Sequence, residues 1–421
     1  MNIAVFHNLP SGGAKRSLFE EVRGLSSRHH LDVFTLSSAN HDFSDLRPCV
    51  RRHAVWKFDP APLFRSPFGR LNSALRTIDL LRLRALAQKM ARVIDRGGYD
   101  VVLVEPCRFE NSPSLLRYLR NTPAVYYCHE PLRRLYEEMP SRPYEGRASR
   151  RASLLDSIDP LAGLYRFLSR RQDRTNLRRA RRVVVNSEFT RRQVKSIYET
   201  DAGVSYHGVD AERFRPVDGS RKDYVLSVGS LTPLKGFDFL IQSLGTIELR
   251  LRPRLLIASN FENPPERAYL LTLAEQCNVD LDLLGRVSDE KLAELYAHAI
   301  LTAYAPVREP FGLVPLESMA CATPVVGVEE GGIPESVIHD RTGLLAERDA
   351  QAFGGAIAAL LEAPRRRDAL GANGRRNVVE RWTWSQAVQS LAGHLTQAAR
   401  ETIGEPQSAT RSMGPRPAPH R

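Results

Sequence analysis

Apolar residues along the chain fall in short runs broken by glycine-containing turns and by stretches of helical period. NIAVFHNL is an apolar run of strand length, and SGGAKRS after it is a Gly-rich turn. Leu18, Val22 and Leu25 follow at helical spacing, and LDVFTL is the next strand. DVVLVE, AVYYCHE and RVVVNS continue the series with helical stretches between them, which predicts an open parallel α/β sheet. The style then repeats: YVLSVGS, RLLIASN, LDLLG, LTAYAP and PVVGVE alternate with helical FDFLIQSL, KLAELYAHA and LVPLESMAC. A second α/β sheet domain is expected from this half. PVDGSRK, residues 216–222, has the Pro, Gly and charge content of a linker. The expected organisation is therefore 1–215, a linker at 216–222, 223–378, a helix at 379–400 crossing back to the first domain, and a disordered tail at 401–421.

Size agrees with two units, because 421 residues exceed what a single core usually holds, and two domains leave room for a cleft. No apolar run approaches the roughly 18 residues of a membrane span, and MNIAVFHNLPSGG lacks a basic leader, so a cytoplasmic protein is expected. Cys49, Cys107, Cys128, Cys277 and Cys321 are scattered and form no CxxC pair, which argues against a disulfide framework or a structural zinc. The formal charge of +12 implies an anionic partner: nucleic acid, lipid headgroups or phosphorylated substrates. The sequence has no RNP, KH or zinc-finger pattern, and its basic residues lack interleaved aromatics, so nucleic acid is not the expected partner.

Candidate chemistry centres on REPFGLVPLE, which places Glu309 and Glu317 eight positions apart. Such a pair can serve as acid and base, as metal ligands or as acceptors for sugar hydroxyls; it can also be a loop charge beside a helix surface. The stretch follows the strand LTAYAP and opens a helix near Gly312, so it lies at the carboxyl edge of a parallel sheet, where these folds bind ligands. The amides of Phe311, Gly312 and Leu313 suit a phosphate, and Glu317 is placed to accept from paired hydroxyls such as those of a ribose. In VGSLTPLKGFDFLIQSL, Gly229 and Gly236 bracket a loop carrying Lys235, a point charge for a diphosphate. GVEEGGIPESVIHDRTGLL adds another strand end, a Gly-Gly turn and a helix start at the same edge. Asp280 and Asp282 have the spacing of a metal-binding Asp-x-Asp, but they enter a strand, and no metal is expected.

GSLTPLKGFDFLI, LGRVSDEKLAELYAHA, EPFGLVPLESMACATPVV and GGIPESV, in this order, resemble the nucleotide-sugar domain of the retaining GT-B glycosyltransferases of family 4, over residues 183–345. The first domain resembles that family in its Gly12-Gly13 turn, in YYCHEP and in NSEFTRRQV leading to SYHGVDAERFRP. The resemblance implies two Rossmann-like parallel-sheet domains facing a central cleft. It also implies a nucleotide-diphosphate sugar as donor, a glycan or lipid-linked acceptor, no cofactor, and retention through front-face attack. By the same resemblance Glu309 contacts donor-sugar hydroxyls, Glu317 the ribose and Lys235 the diphosphate. The Gly12-Gly13 turn approaches the diphosphate from the other domain, and His129 lies beside the reacting sugar. YYCHEP resembles mannosyltransferases and points to GDP-mannose. Many relatives carry arginine where this chain has Ser230, so Arg286 or Arg16 is the expected substitute on the leaving phosphate, the alternative being a catalytically dead relative. His207 replaces a common asparagine. Phosphorolysis and sugar-nucleotide epimerisation remain open alternatives, and a basic nucleic-acid-binding protein is the alternative of another class.

Finally, Arg166, Arg170, Arg174, Arg178 and Arg182 recur every fourth residue, the spacing of one helix face, with Leu164, Phe167 and Leu168 beside them. That pattern predicts either a basic amphipathic helix lying on an anionic membrane, with the protein peripheral on its inner face, or a solvated helix face.

Overall fold

The computed structural model describes residues 1–64, 71–145, 160–261 and 263–403. Its first sheet contains β1 (Asn2–Asn8), β2 (His30–Leu36), β3 (Arg52–Trp56), β4 (Val101–Cys107), β5 (Ala124–Cys128), β6 (Arg182–Val185) and β7 (Gly203–Val204), in the order β3-β2-β1-β4-β5-β6-β7. The second contains β8 (Tyr224–Val228), β9 (Arg254–Ala258), β10 (Leu281–Leu284), β11 (Leu301–Tyr304), β12 (Val325–Val328) and β13 (Gly343–Ala346), in the order β10-β9-β8-β11-β12-β13. All pairings between these strands are parallel. Parallel strands need crossovers that cover both faces, which is why the central strands are nearly continuous apolar runs. β4 is buried along its whole length.

In each sheet the order reverses beside the first strand, between β1 and β4 and between β8 and β11. A crevice opens there at the carboxyl ends. The expected pair of Rossmann-like sheets is what the structure contains, with β3, β7 and β13 as strands the hydrophobic pattern did not mark.

The helix Gly13–Ser26 and the last helix, Trp384–Ile403, pack side by side on one face of the first sheet. Leu391, Leu395 and Ala398 of the last helix share a core with Leu18, Val22, Leu25 and the β1 residues Ile3 and Val5. Burying a leucine contributes roughly 1.5–3 kcal/mol, so this contact holds the chain's C-terminal helix on the first domain. The close approach depends on Gly24, where an added Cβ would run into Val388. Of the span expected as one helix, residues up to Arg381 belong to the preceding helix Pro364–Arg381, and the last helix runs on to Ile403. The tail reading beyond it, 404–421, falls outside the described residues.

Candidate active site

Glycine chemistry shapes the second domain's edge. After β8 the turn Pro233–Lys235 ends at Gly236, whose φ of 65° favours glycine and whose Cβ would collide with the Ala305 carbonyl. The loop thereby packs against the end of β11, and Lys235 Nζ donates to both carboxylate oxygens of Glu309 at 2.9 Å. Gly331 and Gly332 close the arrangement from below. A Cβ on either would strike the backbone of Glu309 or Pro310, and the Gly332 amide donates to the Glu309 carbonyl at 2.8 Å. The spacing of REPFGLVPLE thus answers to a loop clasped by the GGIPES turn, followed by the helix Leu313–Ala320, whose cap Gly312 has φ 89°.

Phe311 is buried among Tyr206, His207 and Trp382. The amides of Phe311, Gly312 and Leu313 donate to no group among the described residues, which leaves them directed at the cleft edge. Glu317, one turn into the helix, is buried and accepts from the Tyr296 hydroxyl at 2.9 Å and from Arg16 at 3.3 Å. Burial pushes its carboxyl above the usual range, opposed by the Arg16 charge.

From the first domain, Gly12 (φ 147°) caps the helix Gly13–Ser26, and a Cβ on Gly12 or Gly13 would meet nothing within 4 Å. The turn faces open space. His129 Nε2 donates to Glu105 Oε2 at 2.7 Å, and its ring packs against those of Tyr127 and His207, which also touch each other. His207, for which the sequence suggested no role, is a buried member of this aromatic stack, and burial lowers its pKa well below the ordinary value. Glu130 is raised by burial and then by the charge of Glu309, so carboxylates from the two domains act on one another.

Three contacts that sequence reasoning missed bridge the domains. Arg16 pairs with Glu317 and Asp289. Glu335 accepts from the amides of Glu188 and Phe189, each at 2.8 Å, and so serves the N-terminus of the helix Glu188–Tyr198 from the opposite domain. Arg142 forks onto Asp238 and the buried Glu266, with Nη1 to Asp238 at 2.7 Å. Motif spacing carried a signal for Glu317, inside REPFGLVPLE, and for Glu335, inside GGIPES, but not for the groups they meet across the domains.

Ser230 sits on the Lys235 turn, its carbonyl accepting from the Thr232 amide. Of its two suggested substitutes, Arg16 is committed to carboxylates, whereas Arg286, exposed beyond the end of β10, forms no hydrogen bond or ion pair among the described residues. Asp280 and Asp282 lie at the start of β10, away from the carboxyl edge, and pair with Arg254.

The arginine stripe needs correction. The helix Pro160–Leu177 carries Arg166, Arg170 and Arg174, but it stops before Arg178, and Arg182 opens β6. Arg178 instead binds the Tyr198 carbonyl and Glu199, which satisfies the end of another helix. Arg170 donates to the Leu135 carbonyl and Arg174 lies over the Tyr136 ring. Leu161, Leu164 and Phe167 of this helix are exposed. No helix among the described residues is long and apolar enough to cross a membrane.

Two facing Rossmann-like domains with glycine-shaped turns at their carboxyl edges define the GT-B class of protein. A family model described as Glycosyltransferase Family 4 matches residues 11–213, and one described as Glycosyl transferases group 1 matches residues 209–377. The chain belongs to the family 4 glycosyltransferases. It is 31% identical over 234 residues to a GDP-mannose-dependent alpha-(1-6)-phosphatidylinositol monomannoside mannosyltransferase of Mycobacterium tuberculosis, covering 50% of this chain and 60% of that one. To a D-inositol 3-phosphate glycosyltransferase of Geodermatophilus obscurus it is 33% identical over 263 residues, 57% of each chain. The match therefore spans less than two thirds of these relatives' length. Among solved structures, a sucrose-phosphate synthase from Thermosynechococcus elongatus shares the fold with a TM-score of 0.72 at 21% identity, covering 95% of this chain and 100% of that one. Anabaena Alr3699/HepE in complex with UDP and glucose gives 0.66 at 18% identity, covering 94% of this chain and 100% of that one.

Proposed function

We propose that this protein transfers a hexose from a nucleotide-diphosphate sugar to a glycan or lipid-linked acceptor, with retention of anomeric configuration and without a metal. The observation that carries the reading is the alignment of Lys235, Glu309 and Glu317 along one sheet edge opposite the open Gly12-Gly13 turn. In this mechanism Lys235 and the amides of Phe311, Gly312 and Leu313 stabilise the departing diphosphate through preorganised positive charge. Glu309 holds donor-sugar hydroxyls and Glu317 the ribose, while His129 lies beside the reacting sugar. The acceptor attacks on the face the diphosphate leaves, and the leaving phosphate takes the acceptor proton. With serine at position 230, Arg286, which has no partner among the described residues, is available for a second charge on that phosphate.

GDP-mannose is the favoured donor, supported by YYCHEP and by the GDP-mannose-dependent relative. A lipid-linked acceptor agrees with that relative's phosphatidylinositol monomannoside substrate and with the exposed Leu161, Leu164 and Phe167 beside Arg166, Arg170 and Arg174. On this reading the protein works in the cytoplasm, peripherally on an anionic membrane.

A thermal-shift screen against nucleotide sugars tests the donor, because the right one raises the melting temperature by mass action. Incubation of that donor with candidate acceptors then separates transfer, which extends an acceptor, from phosphorolysis or epimerisation, which does not. Full turnover in EDTA is expected, and an absolute requirement for magnesium or manganese would contradict the metal-free mechanism.

A further inference from the structure

Glu105 ends an apolar run on β4 and is fully buried. Its Oε2 accepts from His129 Nε2 at 2.7 Å, while its Oε1 is buried with no hydrogen-bond partner among the described residues. We infer that Glu105 is a positioning residue that fixes the tautomer of His129, so that the ring presents Nδ1 to the cleft as an acceptor for a substrate hydroxyl. This rests on the reading of the cleft as a glycosyl-transfer site.

A carboxylate only accepts, so the nitrogen facing it must carry the proton, and in the neutral ring the other nitrogen then holds the lone pair. Nδ1 of His129 bonds no described residue, and the side chain keeps a tenth of its surface exposed. Tyr127, with ring centroids 4.7 Å away, and His207, at 5.3 Å, pack against the ring and against each other. The charged neighbours do not share the role. Lys15 Nζ bonds His7 Nε2 at 3.4 Å, and Glu21 approaches His207 at 3.5 Å. His129 is the sole hydrogen-bond donor to Glu105 among the described residues. A buried carboxylate with one donor and one orphaned oxygen is a poor structural device, since an apolar side chain there would need no partner. What it does supply is a direction for the imidazole.

Glu105→Gln preserves shape but offers an amide N–H to Nε2, which favours the opposite tautomer. The analogous carboxylate-to-amide change behind a catalytic histidine lowers turnover about 10⁴-fold through the wrong tautomer. Ring-nitrogen NMR of the full chain with labelled histidine should show His129 protonated at Nε2 in the wild type and at Nδ1 in Glu105→Gln. With the nucleotide sugar found by thermal shift, kcat should fall at least about tenfold while KM for the donor stays within about twofold. In a His129→Gln background, adding Glu105→Gln should change kcat less than about twofold, because the carboxylate acts through the ring. A wild-type ring protonated at Nδ1, a swapped tautomer with normal kcat, or additive losses in the double variant would overturn the inference. Should Glu105→Gln not fold, the wild-type spectrum still decides the tautomer. Should no nucleotide sugar be turned over, the transfer reading fails while the spectrum still judges Glu105.

Discussion

Lys235 and Glu309 form an ion pair in which both carboxylate oxygens accept from one ammonium, with side-chain exposures of 23% and 17%. If that ammonium also meets a donor's diphosphate, Lys235→Ala does two things at once. It removes a charged donor, which costs about 2 kcal/mol within the usual range of 1.5 to 3. It also leaves the Glu309 carboxylate uncompensated near an anion. Unit charges about 6 Å apart at an effective dielectric near 20 repel by about 3 kcal/mol, and screening of these partly exposed groups reduces this to about 1. The single variant should therefore lose about 3 kcal/mol of nucleoside-diphosphate affinity, roughly 150-fold. Lys235→Ala with Glu309→Gln keeps the first loss but relieves the second, so it should bind about fivefold tighter than Lys235→Ala alone. Calorimetric titration with GDP or UDP, whichever binds the wild type, reads this without the sugar contacts of Glu309. The recovery should shrink as salt rises. A double variant no tighter than the single one would refute the shared placement of Lys235 between carboxylate and diphosphate.

Glu317→Ala should raise KM for the donor about tenfold to a hundredfold, the equivalent of one lost charged hydrogen bond, and near-normal kinetics would remove Glu317 from the ribose site. Glu110 is pushed up to about 7, chiefly by burial, although Ser114 and Gln172 donate to it. A carboxyl with a raised folded pKa favours the folded state below its unfolded value of 4.5 and loses that contribution as pH rises through about 7. Glu110→Gln should therefore flatten the pH dependence of denaturant stability across that window by about 3 kcal/mol, and an unchanged slope would show that Glu110 titrates normally. Co-sedimentation with phosphatidylglycerol vesicles, reversed by salt, is expected for the wild type and lost on replacing Arg166, Arg170 and Arg174 with glutamate; equal binding to phosphatidylcholine would leave these arginines as a solvated face.

The fold was legible because parallel strands covered on both faces become apolar runs. The strands that escaped are those where that cause fails. β3, RHAVW, is an edge strand with Val55 exposed, β7 has two residues, and β13 is a short GLLA. Gly-shaped turns were legible because a positive φ, as at Gly236 and Gly312, already calls for glycine, although the Ala305 carbonyl that also excludes a side chain at Gly236 is distant in sequence. The bridging pairs were not, since Arg16 and Glu317 are 301 positions apart and Arg142 and Glu266 are 124 apart, separations no periodicity records. Glu105 lies between these cases. A lone carboxylate ending DVVLVE contradicts the apolar run around it, and that conflict was the available signal.

The charged pairs of the cleft divide into two kinds with different consequences for motion. Lys235 with Glu309 and His129 with Glu105 each lie within one domain, so a change in the angle between the domains leaves them intact. Arg16 with Glu317 and Asp289, Arg142 with Asp238 and Glu266, and Glu335 with the amides of Glu188 and Phe189 each join one domain to the other. Widening the cleft must break the second kind and leaves buried partners such as Glu266 without their cation, the situation in which a severed ion pair is most costly. Lys235, Glu309, His129 and Glu105 can therefore keep their geometry while the bridging pairs set how far the domains stand apart. Arg142, which also donates to the Pro233 carbonyl on the Lys235 turn, ties the spacing of the domains to that turn, the kind of contact through which closure shifts kcat and KM together.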